Sequence, residues 1–190
     1  MPALEDWLRA VVETPGLTSL DLVSARGMLL DDALRAVPLL EGRTGPVVDV
    51  GSGNGSPGIP VAQALPDVEV VLLEAAARRC AFLEEWAPDN ARVVCGRVEE
   101  QPVDWADAAL AKALAPPAVA AEWCLPLVRE GGIVVLWVGE RADLEDLARV
   151  AARLAGEVDA SPRGLAVLRK TGPTPPGFPR RTGVARKRPL

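Results

Sequence analysis

A short apolar strand that runs directly into a glycine-rich turn and then into a helix constrains the fold of this chain more than any other feature. Residues 47–50 are apolar except for Asp49, glycines follow at positions 51, 53 and 55, and an apolar helical face begins at Ile59. Glycines allow positive φ angles and place no Cβ in the way of a ligand. The helix behind the turn offers unpaired N–H groups and the positive end of its dipole. Such a corner binds a small polar cofactor at the carboxyl ends of parallel strands.

The spacing of the glycines helps to distinguish between cofactors. The dinucleotide pattern G-x-G-x-x-G fails when it is counted from the first glycine, because Ser56 holds the sixth position, but it fits from the second. The better match is D-x-G-x-G-x-G, with Asp49 two residues before the first glycine. A second acid, Glu74, ends the next apolar run and can accept both hydroxyls of a ribose. We therefore predict a nucleoside-cofactor site; the alternative is a structural turn followed by a surface glutamate.

Length and composition limit the class of protein. We expect one domain with short additions from 190 residues, and 49% apolar residues are enough to cover both faces of a sheet. No uninterrupted apolar run approaches the ~18 residues of a membrane span. The N-terminus lacks the basic and apolar regions of a signal peptide, so we expect a cytoplasmic protein with no membrane partner.

The chain has no histidine and three widely spaced cysteines. The lack of histidine excludes histidine-based triads, general bases and metal ligands from this chain. Cys80, Cys95 and Cys124 match no metal-binding spacing. We therefore predict no metal site and interpret all three as buried thiols in a reducing compartment.

Charge is distributed unevenly along the chain. All 26 acidic residues lie in 1–159, whereas residues 160–190 carry eight basic residues and no acidic one. One interpretation is a disordered, solvated tail that keeps the protein soluble. The other is an arm that contacts phosphates, since clustered Arg and Lys gain affinity by displacing counterions from nucleic acid. On that hypothesis the substrate-binding residues of the tail are Arg180, Arg181, Arg186, Lys187 and Arg188.

The apolar pattern divides the chain into a helical N-terminal part (1–45), an α/β domain (46–170) and an extended tail rich in Pro and Arg (171–190). The strands of the α/β domain are continuous apolar runs, as expected when helices cover both faces of a parallel sheet. In the N-terminal part we predict a helix at 3–13 and one or two helices within 18–40. In the α/β domain we predict strands at 46–50, 68–74, 91–95, 107–111 and 132–138, a final strand pair at 156–160 and 164–170, and helices at 57–65, 76–87, 117–128 and 142–154.

Several short sequence motifs resemble those of one known family. Pro57-Gly58-Ile59-Pro60 follows the glycine turn, and Arg97-Val98-Glu99-Glu100 follows the third predicted strand. The C-terminal segment, residues 170–190, is rich in Pro and Arg and is the most distinctive of these motifs. With the glycine turn and its two acids, the chain is similar to the small-subunit ribosomal RNA guanine-N7 methyltransferases, also called the glucose-inhibited division protein B family. The resemblance runs from about residue 17 to the end.

This resemblance implies a Rossmann-like class I methyltransferase fold, with a mostly parallel seven-stranded sheet, helices on both faces and a small helical N-terminal part. It implies that S-adenosylmethionine donates a methyl group to N7 of a guanine in 16S ribosomal RNA, on the free RNA or on the small ribosomal subunit. It also implies the cofactor-binding residues. The amino-acid end of the cofactor would be surrounded by Asp49, Gly51, Ser52, Gly53 and Gly55. Glu74 would bind the ribose, and Val98 and Glu99 would lie beside the adenine.

The substrate side departs from the family pattern. Lys112, which would face the substrate, stands where the family usually has Arg, and it lacks the planar fork of a guanidinium. Family histidines are absent from the stretch 26–34 and from position 164, and a family Lys is absent near Gly139. These departures keep two alternatives open: a diverged paralogue that binds cofactor without methylating RNA, and a small-molecule methyltransferase. A nicotinamide-binding module is disfavoured by the glycine spacing.

No catalytic residue is predicted. The lone pair of guanine N7 lies in the ring plane and needs no deprotonation before it attacks a sulfonium methyl group. Alignment therefore matters more than a general base, and in-line methyl transfer can proceed in a protein without histidine.

Overall fold

Seven strands form one sheet in the computed structural model, which describes residues 3–139 and 142–190. The strands are β1 (Val47–Val50), β2 (Val70–Glu74), β3 (Ala91–Cys95), β4 (Ala106–Ala111), β5 (Val128–Trp137), β6 (Gly156–Asp159) and β7 (Leu165–Lys170). Their order in the sheet is β3-β2-β1-β4-β5-β7-β6. The first five strands are parallel, and β7 runs antiparallel to both β5 and β6.

Helices alternate with the parallel strands, and a cluster of short helices precedes the sheet. The helices are α1 (Leu4–Glu13), α2 (Leu22–Ala25), α3 (Asp32–Leu34), α4 (Val37–Leu40), α5 (Gly58–Ala64), α6 (Ala77–Trp86), α7 (Pro117–Cys124), α8 (Leu144–Arg153) and α9 (Val184–Lys187). A π-helical turn at Arg26–Asp31 joins α2 to α3. This turn and the break before α4 divide the segment 18–40, for which we predicted one or two helices, into shorter pieces.

Both faces of the sheet are buried beneath helices. On one face, Val48 and Val50 of β1 belong to the core formed with α7 and α8. On the other, Val47 shares a core with Trp7 of α1 and Ile59 of α5. Neighbouring residues of one strand thus enter different cores, which explains why the strands read as continuous apolar runs. The arrangement confirms the predicted Rossmann-like fold class.

The boundary between α7 and β5 differs from the prediction. The helix ends at Cys124, residues 125–127 form a 3₁₀ turn, and β5 already begins at Val128. Pro126 has no N–H for the helix to use, which favours an early end. Val128 pairs with Ala106 ahead of a register shift between β4 and β5, so the strand continues through residues that the apolar pattern left outside it.

Our interpretation of the cysteines is wrong for two of the three. Cys80 of α6 and Cys95 at the end of β3 form a disulfide, with their Cα atoms 5.8 Å apart. The reason is that α6 packs back against the neighbouring strands and brings together residues that are 15 positions apart. Cys124 is the free cysteine; it is buried, and burial raises the pKa of its thiol.

The basic tail is packed against the α/β domain, so its interpretation as a solvated, disordered segment is wrong. Thr174 donates from Oγ1 to Asp104 Oδ1 at 2.7 Å, close to the end of β7. Further on, Arg180 forms an ion pair with Glu122 of α7, which is 2% exposed. Most of residues 171–190 lie outside helices and strands, and the short helix α9 forms near their end.

Candidate cofactor-binding site

A cavity of about 490 Å³ opens at the carboxyl ends of β1 and β2. Four of the eight predicted cofactor-binding residues line it: Gly51, Glu74, Val98 and Glu99. Of the other four, Ser52, Gly53 and Gly55 belong to the glycine turn, and Asp49 lies in β1. A larger hollow of about 960 Å³ lies between the end of β5 and the loop before β7, and none of its described lining residues is a predicted site residue.

The glycine turn adopts backbone angles that require glycine. Gly51 and Gly55 have φ angles of 72° and 99°. A Cβ on Gly55 would lie 2.5 Å from Ile59 Cδ1 and 3.0 Å from Trp7 Nε1, so a side chain has no room there. The same Trp7 donates from Nε1 to Asn54 O at 2.9 Å, which fixes the N-terminal helix to the turn.

Glu74 is the buried carboxylate of the cavity wall. It ends β2, is 5% exposed, and accepts three backbone hydrogen bonds. Oε2 accepts from Gly53 N at 2.9 Å, and Oε1 accepts from Ala75 N and Ala76 N, each at 2.8 Å. These bonds fix the carboxylate between the glycine turn and the start of the next loop. A fixed carboxylate that also borders a cavity can accept a further hydrogen bond from a ligand.

Asp49 lies beneath the turn rather than in the cavity. It is 1% exposed, and its Oδ2 accepts from Gly58 N at 3.1 Å. Burial raises the pKa of this carboxyl to about 7, and the nearby charge of Glu74 acts in the same direction. The hydrogen bond from Gly58 and the contact with Ser52 oppose the shift without cancelling it. Asp49 therefore supports the turn and carries a proton that can be lost near neutral pH.

Val98 and Glu99 lie in a 3₁₀ turn (Val98–Glu100) after β3 and form the far wall of the cavity. Glu99 Oε1 accepts from Gly183 N at 3.0 Å, so the tail reaches this wall. Arg186 and Lys187 also line the cavity. No sequence pattern predicts this placement, because the contact joins residues 84 positions apart through a segment without apolar periodicity.

Lys112, which follows β4, is bound to the N-terminal part instead of lying open toward a substrate. Its Nζ lies 2.9 Å from Asp32 Oδ2 and also donates to Met28 O, and its side chain is 14% exposed. Burial alone would raise the pKa of Asp32, but hydrogen bonds from Lys112 and Arg35 outweigh burial and lower it.

The predicted substrate-binding residues of the tail do not share one environment. Arg180 donates from Nη2 to Glu122 Oε2 at 2.6 Å, and its side chain is 22% exposed. Arg186 lies with Cζ 5.9 Å from the centre of the Trp123 ring. Arg181 and Arg188 are exposed, as is Lys187. The exposed cations remain accessible to phosphates, whereas Arg180 is engaged inside the protein.

Across the described ranges 3–139 and 142–190, no group of three Asp, Glu or Cys side chains is arranged to hold a metal ion. Within the same ranges, no helix combines the length and the apolar character needed to cross a membrane.

The strand order, the glycine turn after β1 and the buried carboxylate at the end of β2 together define a class I methyltransferase of Rossmann-like fold. Comparison of sequences gives the family. The family model described as GidB, rRNA small subunit methyltransferase G, matches residues 8–159. The chain belongs to this family.

Curated relatives carry the same name, ribosomal RNA small subunit methyltransferase G. The relative from Rubrobacter xylanophilus is 38% identical, with 89% of this chain and 71% of that protein covered. The relative from Synechococcus elongatus is 35% identical, with 77% of this chain and 69% of that protein covered.

Solved structures support the fold at lower sequence identity. A 16S rRNA N2 G1207 methyltransferase from T. thermophilus, in complex with AdoMet and guanosine, superposes with a TM-score of 0.58 at 18% identity and covers 78% of this chain and 40% of that chain. TYW2 from M. jannaschii, in complex with AdoMet, superposes with a TM-score of 0.56 at 15% identity and covers 73% and 71% of the two chains.

Proposed function

We propose that this protein transfers the methyl group of S-adenosylmethionine to N7 of a guanine in 16S ribosomal RNA, on the RNA or on the small ribosomal subunit, in the cytoplasm. Membership of the rRNA small subunit methyltransferase G family supports the reaction and the substrate. The observation that carries the cofactor assignment is Glu74, a buried carboxylate fixed by three backbone N–H groups at the edge of a cavity of about 490 Å³.

The residues around the cavity fit this cofactor. Glu74 would hold the ribose hydroxyls, and Val98 and Glu99 would lie beside the adenine. Gly51, which lines the cavity beside Leu114, would contact the amino-acid end without a side chain in between. Asp49, Ser52, Gly53 and Gly55 would act indirectly, by holding the turn in shape. The cofactor supplies an electrophilic sulfonium methyl group.

The task of the protein is alignment. Guanine N7 presents an in-plane lone pair, so no residue has to remove a proton before the displacement, and we assign no general base. The base must be unstacked to reach the methyl group. The exposed cations Arg181, Lys187 and Arg188 are suited to bind the surrounding phosphates, since each neutralised phosphate releases counterions and adds to the affinity.

Methyl transfer can be tested directly. Purified protein with S-adenosylmethionine tritiated in its methyl group should label small-subunit RNA or subunits from a strain that lacks the activity, and mass spectrometry should locate 7-methylguanine. Glu74→Gln should reduce labelling, whereas Glu69→Gln, an exposed acid that pairs with Arg92 on the neighbouring strand, should not. Absence of label on both naked RNA and subunits would contradict the proposal.

One observation favours a second candidate. Lys112 stands where the family usually has Arg, and it is engaged with Asp32 and Met28 rather than open to a substrate. This arrangement suits a diverged paralogue that binds the cofactor but does not methylate RNA. Binding of S-adenosylhomocysteine in calorimetry, combined with no label on RNA, would select this candidate over the methyltransferase.

A further inference from the structure

The tail contributes three residues to the cavity that we assign to the cofactor. Gly183, Arg186 and Lys187 line it together with Glu74 and Glu99. Gly183 N donates to Glu99 Oε1 at 3.0 Å, so the tail contacts the 3₁₀ turn that carries Glu99. We propose that residues 183–187 are part of the cofactor site, because they position the Glu99 carboxylate for the amino group of adenine. This inference rests on the proposed function.

The tail is anchored on both sides of this contact. Before it, Arg180 forms a two-pronged ion pair with Glu122, a carboxylate that is 2% exposed and needs a partner. Arg180 Nη2 also donates to Arg188 O at 2.8 Å, which links the residues before and after α9. After it, Arg149 donates from Nη2 to Leu190 O at 2.6 Å. The Gly183 N–H is thus presented by a segment that is held at both ends.

Packing against α7 also holds residues 183–187 in place. Ala185 is 2% exposed and shares a small apolar core with Val119 and Trp123 of α7. Arg186 lies over the ring of the same tryptophan, with Cζ 5.9 Å from its centre. A cation over an aromatic face is attracted to it, which holds the rim of the cavity against α7.

The chemistry of Glu99 explains what this positioning achieves. An ionised carboxylate only accepts hydrogen bonds and has about four lone-pair positions. Gly183 N–H takes one position and fixes the plane of the group, which leaves positions for the N6 amino group of adenine. A hypoxanthine base carries a carbonyl oxygen there instead, and two acceptors repel each other. A correctly oriented Glu99 should therefore discriminate between the two bases.

The test is calorimetric and does not depend on activity. S-adenosylhomocysteine and S-inosylhomocysteine are titrated into the full chain and into a chain that ends at Thr182 and keeps Arg180. We expect the full chain to prefer the adenine ligand by about tenfold or more, the effect of one charge-assisted hydrogen bond. In the truncated chain, affinity for the adenine ligand should fall about tenfold while affinity for the inosine ligand changes little.

Arg153→Ala is the control, since it removes an exposed cation of α8 that does not line the cavity. It should leave both affinities unchanged. Gly183→Ala is the second tail variant, because no atom lies within 4 Å of the added Cβ but its φ of 79° disfavours a side chain. It should weaken the adenine preference about threefold by disturbing the donor N–H.

The outcomes separate the two proposals. The proposal that residues 183–187 position Glu99 would be overturned by either of two results. One is an unchanged preference for the adenine ligand in both tail variants. The other is an equal loss of affinity for the adenine and inosine ligands. If the truncated chain fails to unfold cooperatively on heating, Gly183→Ala alone decides by the same criterion. Failure of the full chain to bind S-adenosylhomocysteine would instead overturn the cofactor assignment itself.

Discussion

Lys112 Nζ lies 2.9 Å from Asp32 Oδ2, so the residue that follows β4 is tied directly to the helical N-terminal part. The ammonium group also lies 5.7 Å from the centre of the Trp137 ring at the end of β5. Trp137 donates in turn from Nε1 to Asp32 O at 3.2 Å. The two contacts of Asp32 thus fasten the N-terminal segment to the edge of the sheet where the cavity opens.

The Lys112–Asp32 pair should therefore be energetically coupled. In a double-mutant cycle with Lys112→Met and Asp32→Asn, we expect a coupling of about 1 kcal/mol in the free energy of unfolding, because the pair is mostly shielded from water. Urea unfolding measures it. The same cycle on the exposed pair Arg26–Glu5 serves as a control and should give less than about 0.5 kcal/mol. Strictly additive effects at Lys112 and Asp32 would show that the contact does not hold the segment.

Glu74→Gln should weaken cofactor binding without unfolding the protein. The amide offers one acceptor oxygen, so its NH₂ group must face one of the backbone N–H groups that the carboxylate now accepts. We expect the affinity for S-adenosylhomocysteine to fall by about tenfold or more, since charge-assisted bonds to the ribose are lost as well. Calorimetry measures this loss, and a melting temperature close to that of the unchanged protein excludes general damage. An unaltered affinity would remove Glu74 from the site.

Glu74 and Arg186 show which part of the site can be predicted from sequence. The position of Glu74 follows from local pattern, because the carboxyl end of a parallel strand next to a glycine turn lies at the cofactor edge. Arg186 belongs to the same cavity for a different reason, namely that the buried Glu122 pairs with Arg180 and thereby directs the tail across α7. The charge of Arg186 predicted an RNA contact. Charge alone, however, does not indicate which part of the protein a segment without apolar periodicity packs against.

The stability of the protein should decrease as pH rises toward neutrality because of Asp49. Its pKa is about 7 in the folded protein, against about 3.9 for an unperturbed aspartate. Between those values the folded state holds a proton that the unfolded state has lost, so the contribution of Asp49 to stability is complete below pH ~4 and is lost by pH ~7.

Asp49→Asn isolates this contribution from those of other carboxylates. The stability of the unchanged protein minus that of the variant should fall by roughly 2–4 kcal/mol between pH 4 and pH 7 and stay constant above it. Urea unfolding across this range measures the difference. A difference that does not vary with pH would mean that Asp49 titrates at its ordinary value.

Lys170→Met should destabilise the fold by about 3 kcal/mol, because it removes a buried cation whose partners stay behind. Lys170 is 1% exposed, and its Nζ donates to Leu125 O at 2.8 Å, to Val128 O at 3.2 Å and to Thr174 Oγ1 at 2.7 Å. It also lies 3.1 Å from Asp104 Oδ1. Methionine fills similar space but leaves two carbonyl groups and a carboxylate without this donor, and burying unpaired acceptors is costly.

Thr174→Val separates the cation from the rest of this cluster. It removes one hydroxyl that bridges Lys170 and Asp104 but leaves the charge pair in place, so we expect a loss of only about 1 kcal/mol. Denaturant unfolding measures both variants, and binding of S-adenosylhomocysteine should persist in each because the cluster lies outside the cofactor cavity. If Lys170→Met proved no more harmful than Thr174→Val, the ammonium group would be dispensable and packing alone would join β7 to the 3₁₀ turn before β5.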